Sequence, residues 1–379
     1  MTSTIASSSH SDYSENTLVE GNAIALFADL GWETVNGFHE SFGESGTLGR
    51  EHKGEVVLLR RLRSALERLN PGASREAIDL AVEELRRDRA SLSLANANRE
   101  VYALLKDGVR VQVRDRRGND ETVTVRVIDW RTPANNDFLI VSQFWVQGET
   151  YKRRPDLVGF VNGLPLVVVE LKAVDVPVRD AFDHNLRDYR DTIPHLFGHN
   201  ALLIVSNGHR SRIGSITSAW EHFAEWNRVA SEDEPKRTGL ETLLRGTCDP
   251  ARLLDLVESF TLFSESDGRV VKLLGKNHQV LGVNNAVDAM MRLGENRGRL
   301  GVFWHTQGSG KSFSMVFFSQ KVQRTLPGNW TFVIVTDRQE LDEQIYRTFA
   351  STGAVTEPEE AVHAGSGEHL RGLLRENHR

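Results

Sequence analysis

Apolar residues at helical spacing (Leu18, Ile24, Leu26, Phe27, Leu30) predict a first helix over 16–30, closed by Gly31. Two more amphipathic patterns follow, Glu55 to Leu69 and Ser74 to Arg89, divided by Asn70-Pro71-Gly72. The period then drops to two. Val123, Val125 and Val127 alternate through a strand over Glu121 to Asp129, and Phe138 to Val146 reads as an apolar, aromatic-rich strand. LVGFVNGLPLVVVEL predicts a hairpin turning at Asn162-Gly163, both residues tolerant of positive φ. Asp180 to Arg190 returns to helix, ALLIVS (Ala201 to Ser206) is a buried central strand, and Ile216 to Trp226 is again helical. Fully apolar strands set among helices indicate an α/β sheet covered on both faces.

A different pattern opens after Phe260, behind the charged stretch SEDEPKR. It runs helix Val280 to Leu293, strand Leu300 to Trp304, glycine loop, helix Ser312 to Arg324, strand Thr331 to Val335 and a helix-like end, GEHLRGLLRENHR. The boundary falls near Ser259, giving a disordered Ser/Thr-rich tail over 1–17, a first domain over 18–259 and a second over 260–379. There is no internal repeat and no heptad pattern.

Composition narrows the class. At 379 residues, 39% hydrophobic and 26% charged, the chain reads as soluble globular protein of two or three domains. Its net charge of −6 gives no bulk attraction for nucleic acid, so any DNA contact needs local basic patches. Cys248 is the only cysteine, which excludes an intramolecular disulfide and fits a reducing compartment. No apolar run reaches membrane-spanning length and the N-terminus lacks a signal-peptide core, so no membrane partner and a cytoplasmic location are expected.

The loop HTQGSGKS, His305 to Ser312, lies between a predicted strand and a predicted helix. This is the setting of a phosphate-binding loop, in which backbone N–H groups and a helix N-terminus converge on phosphate oxygens. Gly308, Ser309 and Gly310 would cradle the phosphates, Lys311 would reach the β and γ groups, and Ser312 would ligate Mg²⁺. His305 stands where the pattern has its first glycine. No apolar run ending in Asp-Glu follows, so the second acid of a nucleotide-hydrolysing site is missing and no second lobe remains. The chain is expected to be the front of a larger protein.

Glu170 and Lys172 interrupt the end of an apolar strand, and each charge needs a partner, a metal or a catalytic use. A two-residue turn at Asn162-Gly163 puts Asp156 one place out of register with Glu170. Pro165 cannot donate to the ladder, and one extra residue there brings the two carboxylates together. Glu170 and Lys172 share a face because they are two apart. Two carboxylates and an ammonium suit Mg²⁺-dependent phosphodiester cleavage, with Lys152, Arg153 and Arg154 placed to grip neighbouring phosphates. The plainer alternative is a surface Glu170–Lys172 ion pair. Trp220, Phe223 and Trp226 read as core, Arg86, Arg87 and Arg89 as a solvated face, as do Arg114, Arg116 and Arg117, and Glu20 as a solvated helix charge.

Pro155-Asp156 with Glu170-Leu171-Lys172, the loop WHTQGSGKS and VTDRQELDEQI together resemble the motor (R) subunit of type I restriction endonucleases, from about Leu18 onward. The resemblance implies a PD-(D/E)xK endonuclease-like mixed sheet flanked by helices, followed by the truncated start of a RecA-like P-loop domain of the superfamily 2 helicase type. It implies Asp156, Glu170 and Lys172 as catalytic residues, the first two holding Mg²⁺, and ATP at the glycine loop with Gln279 of KNHQVLGVNNAV reading adenine. Arg338, in the next helicase motif, would lie against DNA. Tyr189 matches a Gln-x-x-x-Tyr pair of related nucleases, with Asn185 replacing the glutamine, and Glu20 could complete the metal site as an early glutamate does in some of them. Implied partners are double-stranded DNA and the methyltransferase and specificity subunits, in a protein whose ATP hydrolysis drives DNA translocation. Two rivals stay open: a helicase–nuclease of DNA repair or phage defence working without modification subunits, and a nucleotide- and DNA-binding regulatory module with an inactive nuclease fold.

Overall fold

The computed structural model describes residues 8–114, 118–231, 233–266 and 268–375, with side chains from Leu18 onward. The chain divides into two compact units, Met1–Glu258 and Ser259–Arg379. In the first, α1 (Ser8–Asp29) is followed by β1 (Glu33–Asn36), α2 (Leu59–Leu69), α3 (Arg75–Arg86), α4 (Leu94–Asp107) and the pair β2 (Val109–Arg114) and β3 (Asp120–Val125). Then come β4 (Phe138–Ser142), β5 (Val146–Gln147), β6 (Lys152–Arg153), β7 (Leu157–Val161) and β8 (Leu164–Leu171). A helical stretch formed by α5 (Val178–Asp180), a π-helical segment (Ala181–Leu186) and α6 (Arg187–Thr192) leads to β9 (Leu202–Ser206), β10 (Ser211–Gly214) and β11 (Ala224–Glu225). Helices α7 (Gly239–Thr247) and α8 (Pro250–Ser259) close the unit.

Seven strands form one mixed sheet in the order β1-β4-β7-β8-β9-β10-β11. β1 runs parallel to β4 and β9 parallel to β8, while the other neighbours are antiparallel. Every residue of β4, β7, β8 and β9 is buried, as expected of central strands covered on both faces. That agrees with the unbroken apolar runs. Ser74 caps α3 by accepting from the Ala77 amide, and Ser93 caps α4 through the Asn96 amide.

The hairpin turn forms where expected, with Asn162 at φ 52° and Gly163 at φ 79°. Asn162 is fully buried and does more than turn the chain. Its side chain accepts from the Asp137 amide at 2.8 Å and donates to Val127 O at 2.8 Å, tying the hairpin tip to the loop before β4. Phe160 pairs with Pro165, but Gly159 pairs with Val167, so Leu166 is an extra residue. The bulge expected at Pro165 lies one position on.

Several sequence expectations are corrected. α1 starts at Ser8, so residues 8–17 of the expected disordered tail are helical, and residues 1–7 lie outside the described ones. The pattern at Ile216 to Trp226 is not a helix: it gives a short 3₁₀ turn at Trp220–His222 and strand β11. Its aromatic spacing reflects separate packing partners, with the Phe223 ring 5.1 Å from Phe182 and pressed onto Gly214. α4 and β2 were not anticipated, although Val109, Val111 and Val113 alternate inward. Arg87 and Arg89 are not simply solvated, since both pair with Glu84 and Glu100. Arg116 and Arg117 lie outside the described residues.

The second unit contains the hairpin β12 (Thr261–Ser266) and β13 (Arg269–Leu274), then α9 (Asn277–Met291), α10 (Lys311–Thr325), α11 (Gln339–Ser351), α12 (Glu359–Val362) and α13 (Gly367–Leu373). The expected strands 300–304 and 331–335 do not form. A strand exists only against a hydrogen-bonded neighbour, and among the described residues these segments have none. Their apolar side chains are correspondingly open, Val302 at 94% and Val335 at 85% exposure.

At the hairpin turn, a methyl group on Gly163 would meet Leu58 O at 2.5 Å and Leu62 N at 2.7 Å, at a φ that L-residues rarely adopt. Gly163→Ala is therefore expected to lose about 2 kcal/mol or more of stability, read as a lower Tm in a thermal melt.

Candidate active site

The bulge restores the register that Asp156 needs. Beyond it Leu157 pairs with Val169, and Asp156, just before β7, accepts the Leu171 amide on Oδ2 at 2.7 Å. Glu170 lies in β8 with 2% exposure, and its Oε1 accepts Asn185 Nδ2 at 2.5 Å and the Tyr189 hydroxyl at 3.3 Å. Its second oxygen, Oε2, is buried without a hydrogen-bond partner among the described residues. Lys172 does not pair with Glu170. Its Nζ donates to Asn185 Oδ1 at 2.7 Å, so Asn185 stands between base and acid, one face to each. The surface ion pair considered from sequence is thus replaced by a half-buried amide bridge.

The π-helical segment carries Asn185, where sequence spacing suggested only an ordinary helix. Such wide turns occur as single insertions, often at functional sites. Tyr189, one turn further in α6, is 5% exposed and also receives a long contact from Asn185 Nδ2 at 3.4 Å. Asn185 therefore meets both Glu170 and Lys172, despite its shorter side chain, and Tyr189 meets Glu170.

Two residues enter that sequence reasoning set aside or missed. Glu20 on α1 is not simply solvated: Gln143 Nε2 donates to its Oε2 at 2.8 Å, and its charge bears on Asp156. Gln143 follows β4 in the left-handed region at φ 57°, uncommon for a residue with a side chain, and its amide donates to Asp156 O at 2.8 Å. The only sequence signal was a polar residue directly after FLIVS.

Burial first, with the charge of Glu20 adding to it, raises the Asp156 carboxyl to about 6, against the opposing pull of the Leu171 amide, Lys172 and Arg154. Burial also pushes Glu170 well above the ordinary carboxylate range, and the charge of Asp156 pushes the same way; Lys172 opposes. Two neighbouring acids, one with an unsatisfied oxygen, could hold a cation between them once ionised. Hard carboxylate oxygens suit Mg²⁺, which takes one or two carboxylates and completes its shell with water or phosphate oxygen. Among the described residues no three His, Cys, Asp or Glu side chains gather as a metal-binding group.

Of the basic candidates, Arg153 is engaged by Asp188 at 2.8 Å, Arg154 is close enough to influence Asp156, and Lys152 is exposed on β6. Arg338 belongs to the second unit, as the residue preceding α11. There the glycine loop has Gly308 at φ 76° and Gly310 at φ 86°, and α10 begins at Lys311. Lys311 Nζ donates to His305 O at 2.9 Å and Thr306 O at 3.0 Å. Gln279 clasps the same loop, donating to Gly310 O at 3.0 Å while accepting the Lys276 amide at 2.9 Å. His305 packs against the rings of His278 and Phe303, at 4.6 and 4.4 Å, which accounts for a side chain where glycine was expected. Ser309 lies in the loop, its Oγ buried without a partner among the described residues, and Ser312 lies in the first turn of α10.

Fold and site define an α/β protein with a paired-carboxylate and lysine centre at the end of a mixed sheet. The family description "Type I restriction enzyme R protein N terminus" matches residues 12–222, and "SWI2/SNF2 ATPase" matches residues 278–379. The chain is 36% identical over 374 residues to the type I restriction enzyme HindI endonuclease subunit of Haemophilus influenzae, covering 95% of this chain and 35% of that protein. It is 29% identical over 380 residues to a putative type I restriction enzyme endonuclease subunit, MjaIXP, of Methanocaldococcus jannaschii, covering 92% and 35%. The chain belongs to the type I restriction enzyme R protein family. It spans about a third of the length of these relatives.

Both carboxyls ionise less readily in the folded chain than in the unfolded one, so the unfolded chain sheds its protons first as pH rises. The stability associated with their protonation is complete below 3.8 and is lost as pH climbs through about 6 and beyond. Asp156→Asn keeps an acceptor for the Leu171 amide and removes one charge. It is expected to melt higher than the parent at pH 8, by on the order of 2 kcal/mol, with a smaller advantage at pH 5. A gain independent of pH would contradict the repulsion.

Proposed function

We propose that the first unit is the nuclease of a type I restriction enzyme R subunit, cutting double-stranded DNA with Mg²⁺ held by Asp156 and Glu170. The observation that carries this reading is the convergence of Asp156, Glu170 and Lys172 on one sheet end, with Glu170 Oε2 buried and unsatisfied. When bound, the ion would supply a lowered water pKa and charge for the developing phosphate. The chain's own residues do the positioning. Asp156 is fixed by the Leu171 amide, Glu170 is aimed by Asn185 and Tyr189, and Lys172 is held on the Asn185 carbonyl, ready to steady negative charge.

The second unit is read as the beginning of the RecA-like translocase domain. Gly308 to Gly310 and the start of α10 would receive ATP phosphates, Lys311 would turn from His305 O and Thr306 O to the β and γ groups, and Ser312 would serve Mg²⁺. Gln279, already clasping the loop, supports the adenine side of that pocket. In the whole protein ATP hydrolysis would drive DNA translocation, in complex with methyltransferase and specificity subunits in the cytoplasm.

Plasmid cleavage with Mg²⁺ or Mn²⁺, without ATP, tests the nuclease directly. The parent chain is expected to nick supercoiled plasmid, and Asp156→Ala and Lys172→Ala are each expected to remove the activity, by at least the hundredfold typical of a lost catalytic group. Nicking retained in both variants would place the activity elsewhere.

A further inference from the structure

Immediately before Asp156, cations gather on aromatic rings rather than on acids. The Arg154 guanidinium carbon lies 4.8 Å from the Phe38 ring centroid and 5.0 Å from that of Trp145. Lys53 Nζ lies 4.6 Å from the same Trp145 ring. Among the described residues neither Arg154 nor Lys53 makes an ion pair. Arg153 differs, because Asp188 takes two of its nitrogens, one at 2.8 Å.

A guanidinium stacked on rings keeps its charge and leaves its in-plane N–H groups open, the geometry that grips phosphate by two oxygens. The frame is rigid. Arg50, 1% exposed, is paired with buried Glu40 and donates to Glu55 O at 2.7 Å and Trp145 O at 2.8 Å. One buried guanidinium thus fixes the loop bearing Lys53 to the residue bearing the Trp145 ring. Losing either partner would strand a buried charge, so the frame holds its shape. The Phe38 amide is pinned separately, on Asn36 Oδ1 at 2.8 Å.

We infer that Arg154 and Lys53, held by Phe38 and Trp145, form a preorganised phosphate subsite for the DNA backbone beside the scissile bond, and that Arg153 is not part of it. The inference rests on the reading of Asp156, Glu170 and Lys172 as a nuclease centre.

Binding of a fluorescent duplex of about 20 base pairs, followed by anisotropy in EDTA over a range of salt, tests it. Arg154→Ala and Lys53→Ala are each expected to weaken binding several-fold and to lower the slope of log K against log salt by about one. Arg154→Lys should recover the slope but not the affinity, because the charge returns without the planar fork. Arg153→Ala should bind as the parent does. Parent affinity and slope in both Arg154→Ala and Lys53→Ala, or an equal loss in Arg153→Ala, would overturn the subsite. Plasmid nicking by the parent, run alongside, separates the two readings. Nicking with unchanged binding in the variants removes the subsite and leaves the nuclease. Weakened binding in the variants of a parent that never nicks keeps the subsite and removes the nuclease. A parent that neither binds nor nicks removes both.

Discussion

Glu170 is a carboxylate enclosed in the central strand β8, and the residues around it are arranged to make that enclosure tolerable. One oxygen is met by Asn185 and Tyr189, the other by nothing among the described residues. Burying such a group with half its acceptor capacity idle costs about 1–3 kcal/mol, more when it is ionised. A structure retains that cost where the idle oxygen has work to do. The neighbouring Asp156 adds repulsion, which protonation relieves at low pH and a nearby cation can relieve above it. Lys172 is the obvious one, yet it is held on Asn185 instead of on either acid. The ammonium is kept near the carboxylates without closing over them.

Three local irregularities produce this arrangement. The extra residue Leu166 shifts β8 by one place and sets Asp156 level with the end of the strand. The π-helical segment brings Asn185 to both Glu170 and Lys172. Gln143, in a left-handed backbone conformation, links Asp156 O to Glu20 on α1. The last two lie at the site itself, a usual place for such departures, whereas the bulge sits nearer the hairpin tip and acts through the register of β8.

Most of the sheet was legible because its central strands are apolar without interruption, and because Asn162-Gly163 and Pro165 state where the hairpin turns and slips. The convergence of Asp156, Glu170 and Lys172 followed from that register alone. What was not legible depends on tertiary context. A π turn has no residue pattern of its own, so the Asn185 bridge could not be foreseen from FDHNLRDYR. Glu20 and Gln143 are distant in sequence and meet only because α1 packs against the sheet. Aromatic spacing at Trp220, Phe223 and Trp226 mimicked a helix, although Phe223 packs individually on Gly214 and Phe182. The segments 300–304 and 331–335 have strand composition, but composition cannot supply the neighbouring strand that a ladder requires.

The proposed function makes Asp156 and Glu170 together a divalent-cation site kept open by Asn185. Anomalous diffraction from crystals of this chain soaked in Mn²⁺ measures it most directly. The expected result is a peak bonded to a carboxylate oxygen of Asp156 and to Glu170 Oε2, with Lys172 still on Asn185. A fully soaked crystal with no peak there, or with Lys172 moved onto Glu170 as an ion pair, would contradict it.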